Sequence, residues 1–169
     1  MERLKMKKIY LLLLVALCAT ACDNSNGPSI ERRYYENSEI SLSQENSGAY
    51  VSWETGEKTA IVFSYFHEED ENISDDELTE LLYVELPADL TEFSISTDSD
   101  LPETEIEVYY VRSCFCYFEQ PYTFLRKNIS GQKIAQNQWR ISFDVVVELN
   151  GEEYPLKDSG VYVLSTFEN

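Results

Sequence analysis

Trp139-Arg140-Ile141-Ser142-Phe143-Asp144-Val145-Val146-Val147-Glu148-Leu149-Asn150-Gly151 is the stretch that decides the fold. Trp139, Ile141, Phe143, Val145, Val147 and Leu149 recur with a period of two, which places them on one face of a strand. Arg140, Ser142, Asp144 and Glu148 fall on the other face, with Val146 the exception. Asn150-Gly151 follows. A two-residue type I′ turn needs φ > 0 at both central positions, and Asn-Gly tolerates that best. Such a turn fixes the returning strand's register: Leu149 opposite Glu152, Val147 opposite Tyr154, Val145 opposite Leu156. Asp144 is then expected to face Lys157 on the wet side, a pair worth roughly 0.2–1 kcal/mol, while Glu148 facing Glu153 opposes it slightly. Pro155 has no N–H, so its strand is expected to be an edge or to bulge there.

Working outward, residues 50–53 and 59–66 flank Glu54-Thr55-Gly56-Glu57-Lys58 and read as a second hairpin. Further strands are expected at 82–86 before Pro87, at 93–96, along 106–118, at 123–126 after Pro121, and at 133–135. The last of these turns at Gln136-Asn137 into the Trp139 strand. Residues 161–167 close the series after Lys157-Asp158-Ser159-Gly160. One helical turn is expected where Ser74-Asp75-Asp76-Glu77 forms a capping box ahead of Leu78, Leu81 and Leu82. Strands at this spacing, punctuated by Gly, Pro and Asn, predict an all-β antiparallel β-sandwich, Ig-like or related. A small lipocalin-like barrel is the alternative.

The chain's 169 residues carry 13 basic and 31 acidic side chains, a formal charge of −18, and one histidine. A field of that sign repels phosphate backbones and argues against a nucleic-acid partner. An apolar content of 43% is too high for a disordered acidic tail, so the chain folds. At the start, Arg3, Lys5, Lys7 and Lys8 precede an apolar run over 9–17. Nine residues at roughly 1.5 Å each cannot cross a core of about 30 Å, so this is the h-region of an export signal. Met6-Lys7-Lys8 also reads as a start, which leaves Met1 and Met6 both open.

Cys18-Ala19-Thr20-Ala21-Cys22-Asp23 follows the h-region. Small residues before Cys22 resemble the lipobox of bacterial lipoproteins, which signal peptidase II cleaves just ahead of the cysteine. The resemblance implies lipid attachment at Cys22 and a membrane partner reached through that lipid. The family usually has Leu where Ala19 stands, and type I cleavage after Ala21 is the competing outcome. Cleavage at 21 removes four basic residues and Glu2, so −18 becomes −21. Expected organisation is a signal peptide over 1–21, the lipidated cysteine with a polar tether and first edge segment over 22–47, and a β-sandwich domain over 48–169. The polar stretch around Gly27-Pro28 reads as that tether.

Several clusters invite chemistry. Glu68-Glu69-Asp70-Glu71-Asn72 supplies oxygen ligands of the kind Ca²⁺ takes. On the EF-hand spacing begun at Asp70, however, Asp75 stands where Gly is required and Leu81 where the bidentate Glu belongs. Asp70, Asn72 and Asp76 are the candidates for an irregular calcium site; otherwise the segment is a solvated loop with no cofactor. Asp98, Asp100, Glu103 and Glu105 form a second acidic cluster without a template. Cys114 and Cys116 project from one face of an extended strand, too far apart to pair easily, and read as buried thiols. His67, at a strand end, has no partner motif for general-base work. The chain therefore reads as non-enzymatic. Tyr109, Tyr117 and Tyr122 lie in its aromatic-rich third and are candidate recognition aromatics, against the alternative of core packing.

The leader, the tether and the hairpin region from Ile129-Ser130-Gly131-Gln132-Lys133 through Asn150-Gly151 to Val163 resemble small Bacteroidetes-type envelope lipoproteins. That resemblance implies a β-sandwich in the bacterial outer membrane, periplasmic or surface-facing, with no established activity. The expected function is a non-enzymatic binding or structural module for a protein or glycan. Two alternatives stand beside it: a lipocalin-like carrier of an apolar molecule, and an envelope hydrolase.

Overall fold

Asn150 has φ 55° and Gly151 φ 81°, the left-handed pair that a type I′ turn demands. These values come from the computed structural model of the protein, which describes residues 27–45, 48–68, 78–97, 105–113 and 122–166. Eight strands form: β1 Ser29–Glu45, β2 Gly48–Phe66, β3 Thr79–Pro87, β4 Glu92–Ile95, β5 Glu107–Ser113, β6 Thr123–Ala135, β7 Gln138–Leu149 and β8 Glu152–Leu164. The β7–β8 register is the expected one, with Leu149 opposite Glu152, Val147 opposite Tyr154, Val145 opposite Leu156 and Asp144 opposite Lys157. Trp139, Ile141, Phe143, Val145 and Val147 are all buried. Each such side chain contributes roughly 1.5–3 kcal/mol on leaving water, which is why alternation sets the register.

The strands form one mixed sheet in the order β4-β6-β7-β8-β1-β2-β3-β5. Every pairing is antiparallel except β1 with β8, which is parallel and joins only Arg33 to Val163 and Tyr34 to Leu164. The sheet is therefore two four-stranded halves hinged on a two-residue ladder. Phe63 on β2 and Phe143 on β7 meet edge to face with centroids 4.9 Å apart. Three strand spacings of about 4.8 Å separate them along the sheet, so the halves must fold face to face. The result is sandwich-like. It differs from separate Ig-type sheets in keeping one continuous ladder, and the barrel alternative fails because β4 and β5 stay edges among the described residues. Tyr34, Ile61, Phe63, Leu82, Tyr110, Trp139, Phe143 and Tyr162 fill the interior.

A second apolar layer lies outside β2, β3 and β5. Ile40, Ala60, Val62, Tyr83 and Val111 are buried there, with Tyr35, Leu42, Val51, Trp53 and Tyr109 against them. The far half of the β1–β2 hairpin folds back to make this layer. Its corner is a double irregularity: the register shifts at Ser38, and Asn37 adopts φ 54°. A Cβ on Gly56 would lie 2.6 Å from the Cβ of Glu39, so only glycine lets the two strands cross so closely. Tyr35–Trp53 and Trp53–Tyr83 ring contacts at 5.1 and 5.7 Å continue the stack.

These facts correct four expectations. The segment read as tether and edge strand is, from Ser29 on, the interior strand β1 between β8 and β2. The expected turn at Glu54 to Lys58 is instead a bulge within β2, because β1 pairs along its whole length. Leu81 and Leu82 belong to β3 and not to a helical turn, since Leu82 finds Phe63 and Tyr110 as cross-strand neighbours. Lys157 to Gly160 continues β8 without turning, because these residues pair with Asp144 to Ile141 of β7. Pro155 lies in the half of β8 that pairs with β7 alone, the edge environment proline requires.

Candidate functional site

Folding the sheet brings its two ends toward each other. Tyr110 on β5 and Tyr122 before β6 meet with ring centroids 5.9 Å apart, and the Tyr110 N–H donates to the Tyr122 hydroxyl at 3.1 Å. Beside that contact lies a cleft of about 1380 Å³. One wall is the start of β5 (Glu105, Ile106, Glu107). The other is β6 and the end of β4 (Phe124, Lys127, Ile95, Thr97). The hairpin corner (Glu39, Gly56, Lys58) and the β3–β4 turn (Pro87, Asp89) complete the mouth. Ile95 is buried and Ile106 and Phe124 half-buried, so the floor is apolar. Glu39, Glu57, Asp89, Glu105 and Glu107 are exposed around the rim.

Lys58 links the rim to the scaffold. Its ammonium bonds Glu85 Oε1 and reaches Glu107 Oε2 at 3.3 Å. Glu85 is fully buried and also accepts the Ile40 N–H at 2.5 Å, which ties the folded-back hairpin to β3. The Glu85 hydrogen bond raises the Lys58 pKa above its ordinary value. The Tyr109 hydroxyl donates to Glu107 Oε2 at 2.7 Å; with Lys58 it holds the Glu107 carboxyl below its usual range. Burial first, and then that hydrogen bond, push the Tyr109 phenol up.

Two other charged clusters belong to the scaffold. Half-buried His67 places Nε2 2.7 Å from Glu80, whose other oxygen accepts the Tyr110 hydroxyl at 2.5 Å. Burial, followed by that hydrogen bond, raises the Tyr110 phenol well above its ordinary value. Arg32 forks onto Asp158 at 2.8 and 2.6 Å across the β1–β8 join, and Tyr162 donates to the same carboxylate at 3.2 Å. Burial alone would raise Asp158, but the Arg32 hydrogen bond and charge outweigh it and hold the carboxyl low. His67 is thus the partner of Glu80 just beyond the end of β2.

The candidate aromatics do not share a face. Tyr109 belongs to the outer layer and Tyr122 to the inner core. Tyr117, Cys22, Cys114, Cys116, Asp70, Asn72 and Asp76 lie outside the described residues. Among the described residues no three His, Cys, Asp or Glu side chains converge to hold a metal ion. Sequence reasoning missed Lys58, Glu85, Ile106 and Phe124. A signal existed for Glu85, a lone acid inside the apolar run Leu81-Leu82-Tyr83-Val84-Glu85-Leu86, since a buried charge requires a partner. The chain matches no protein-family model, no curated protein and no solved structure.

Proposed function

We propose that this chain is a lipid-anchored, non-enzymatic binding module of the bacterial outer membrane, and that the cleft between β5 and β6 takes a segment of a partner protein. The cleft carries the reading: there solvent reaches both an apolar floor and a charged rim. Its placement suits an anchored receptor. Ser29 pairs with Phe66 at one end of β2, whereas Lys58 opens on the cleft eight residues away. At about 3.4 Å per residue the mouth stands roughly 27 Å from the point where residue 29 enters the sheet. A lipid on Cys22 would leave that mouth facing away from the membrane.

Support for binding over catalysis comes from the charged groups. Glu85, Glu80 and Asp158 are each held in internal pairs with Lys58, His67 and Arg32. Support for a binder over an apolar carrier comes from the interior, where Trp139, Tyr34, Tyr110 and Tyr162 are fully buried and leave the space between the halves filled.

Photo-crosslinking in intact cells tests the proposal. A photoreactive residue at exposed rim position Glu57 or Asp89 is expected to give a discrete, protease-sensitive adduct. The same residue at Ser142, exposed on the far face, is expected to give none. Adducts resistant to protease would transfer the reading to a glycan; equal labelling at all three positions overturns the cleft as the site. Retention of label from radioactive fatty acid, lost in Cys22→Ser, tests the anchor.

A further inference from the structure

We infer that the cleft recognises its partner by strand addition, and that the partner segment is extended and cationic. The inference rests on the cleft reading above and names the chemistry of what enters.

The backbone supplies the first argument. In an antiparallel ladder each residue directs its N–H and C=O to one side, and successive residues alternate. Tyr110 directs its N–H away from β3 to Tyr122, so its neighbour at the same parity, Val108, also directs its N–H and C=O away from β3. Among the described residues β5 has no ladder partner on that side. On the opposite wall β4 covers β6 from Ile129 to Gln132, and the Lys127 N–H is capped by the Thr97 side chain. Among the described residues, 123–126 of β6 pair with β7 alone, through a register shift at 125. Two strand edges without a ladder partner among the described residues thus border one cleft, and an extended chain is the ligand that satisfies backbone groups on both.

Size and charge supply the second argument. Small-molecule sites run to roughly 300–1,000 Å³, and this cleft, at about 1380 Å³, exceeds them. Five carboxylates border it against Lys58 and Lys127, and the Lys58 ammonium is already held by Glu85 and Glu107. Alternate side chains of an extended segment point to opposite faces. One set enters over Ile95, Ile106 and Phe124, while the other meets the acidic rim, which calls for Lys or Arg.

The probe is a peptide of about ten residues alternating Lys and Val, long enough to span roughly 33 Å when extended. It is titrated into the folded mature chain at low salt. Binding is expected to weaken about tenfold or more when alternate residues are N-methylated, and to vanish when Glu replaces Lys. Val108→Pro, tolerated on an edge strand, is expected to abolish binding while the melting curve stays cooperative. Asp89→Asn with Glu105→Gln, both exposed, is expected to weaken it and to flatten its salt dependence. Equal affinity for the N-methylated peptide, equal affinity for the Glu peptide, or no binding at all overturns strand addition. A homodimer that the peptide fails to compete with, and that Val108→Pro dissociates, assigns the edge to a second copy and also overturns it. Rim-specific crosslinks that persist without peptide binding leave the cleft reading standing; loss of both removes the two together.

Discussion

The Glu85 carboxylate, fully buried on β3, accepts the backbone N–H of Ile40, forty-five positions earlier in the chain. With Lys58 on its other oxygen it gives the folded-back hairpin a charged anchor on β3. Removing one member of a buried pair leaves an uncompensated charge, which costs about 3–5 kcal/mol. Glu85→Ala and Lys58→Met are each expected to fall in that range by urea denaturation. The double change Lys58→Met with Glu85→Leu is expected to recover part of the loss. Trp53 emission should shift to the red in Glu85→Ala as the outer layer loosens.

Acid sensitivity is expected to centre on Asp158. An unfolded aspartate titrates near about 3.9, and the Arg32 fork holds the folded carboxyl lower. A depressed folded pKa adds stability above the unfolded value and loses it as pH falls through the folded one. Asp158→Asn should therefore lower stability at neutral pH by about 1.5–3 kcal/mol, the range for charge-assisted hydrogen bonds, and flatten the curve below about pH 4. Thermal melts across pH 2–7, a range set by that linkage, measure both effects.

Gly160 belongs to the same device. A Cβ there would lie 2.4 Å from Arg32 Nε and 2.6 Å from its Cδ. Gly160→Ala is expected to drive the guanidinium off Asp158 and to reproduce most of the Asp158→Asn loss. The two changes together should cost little more than either alone, because they remove one interaction.

Gly131 holds the short edge strand. A Cβ at this position would meet the Phe93 ring at 2.4 Å and Ile141 Cδ1 at 2.6 Å. Gly131→Ala should destabilise by about 1–3 kcal/mol through overpacking, and Phe93→Leu in the same chain should restore part of it. Hydrogen exchange is expected to show β4 amides losing protection ahead of β7.

Tyr122→Phe removes the acceptor for the Tyr110 N–H at the head of the cleft. The expected cost is about 0.5–1.5 kcal/mol, with faster exchange at the Tyr110 amide. Affinity for an added strand should change little, since Val108 keeps its outward groups.

The β7–β8 hairpin was legible to the residue because alternation, Asn150-Gly151 and the Asp144–Lys157 pair all specify one register. Where both faces of a strand are buried the pattern loses its phase. Residues 59–64 of β2 are buried throughout, covered inside by β7 and outside by the folded-back hairpin. No local signal announces a second layer built by the chain's own first strand. Gly56 was read as a turn because glycine punctuates turns and close crossings alike. The cleft was not legible at all. Ile106 and Phe124 look like ordinary core positions until the sheet's ends are known to stop short of pairing.

The two-residue parallel ladder between β1 and β8 has a kinetic meaning. Pairings within each half-sheet span shorter stretches of chain, whereas the ladder between the halves joins partners about 130 positions apart. Non-local pairings of this kind slow folding, because chain entropy is lost before contacts compensate. β8 follows the other seven strands in chain order, so the two halves cannot lock before it has formed. Until then the Phe63–Phe143 surface stays open to solvent, and that interval is when the protein is most exposed to misassembly or to a chaperone.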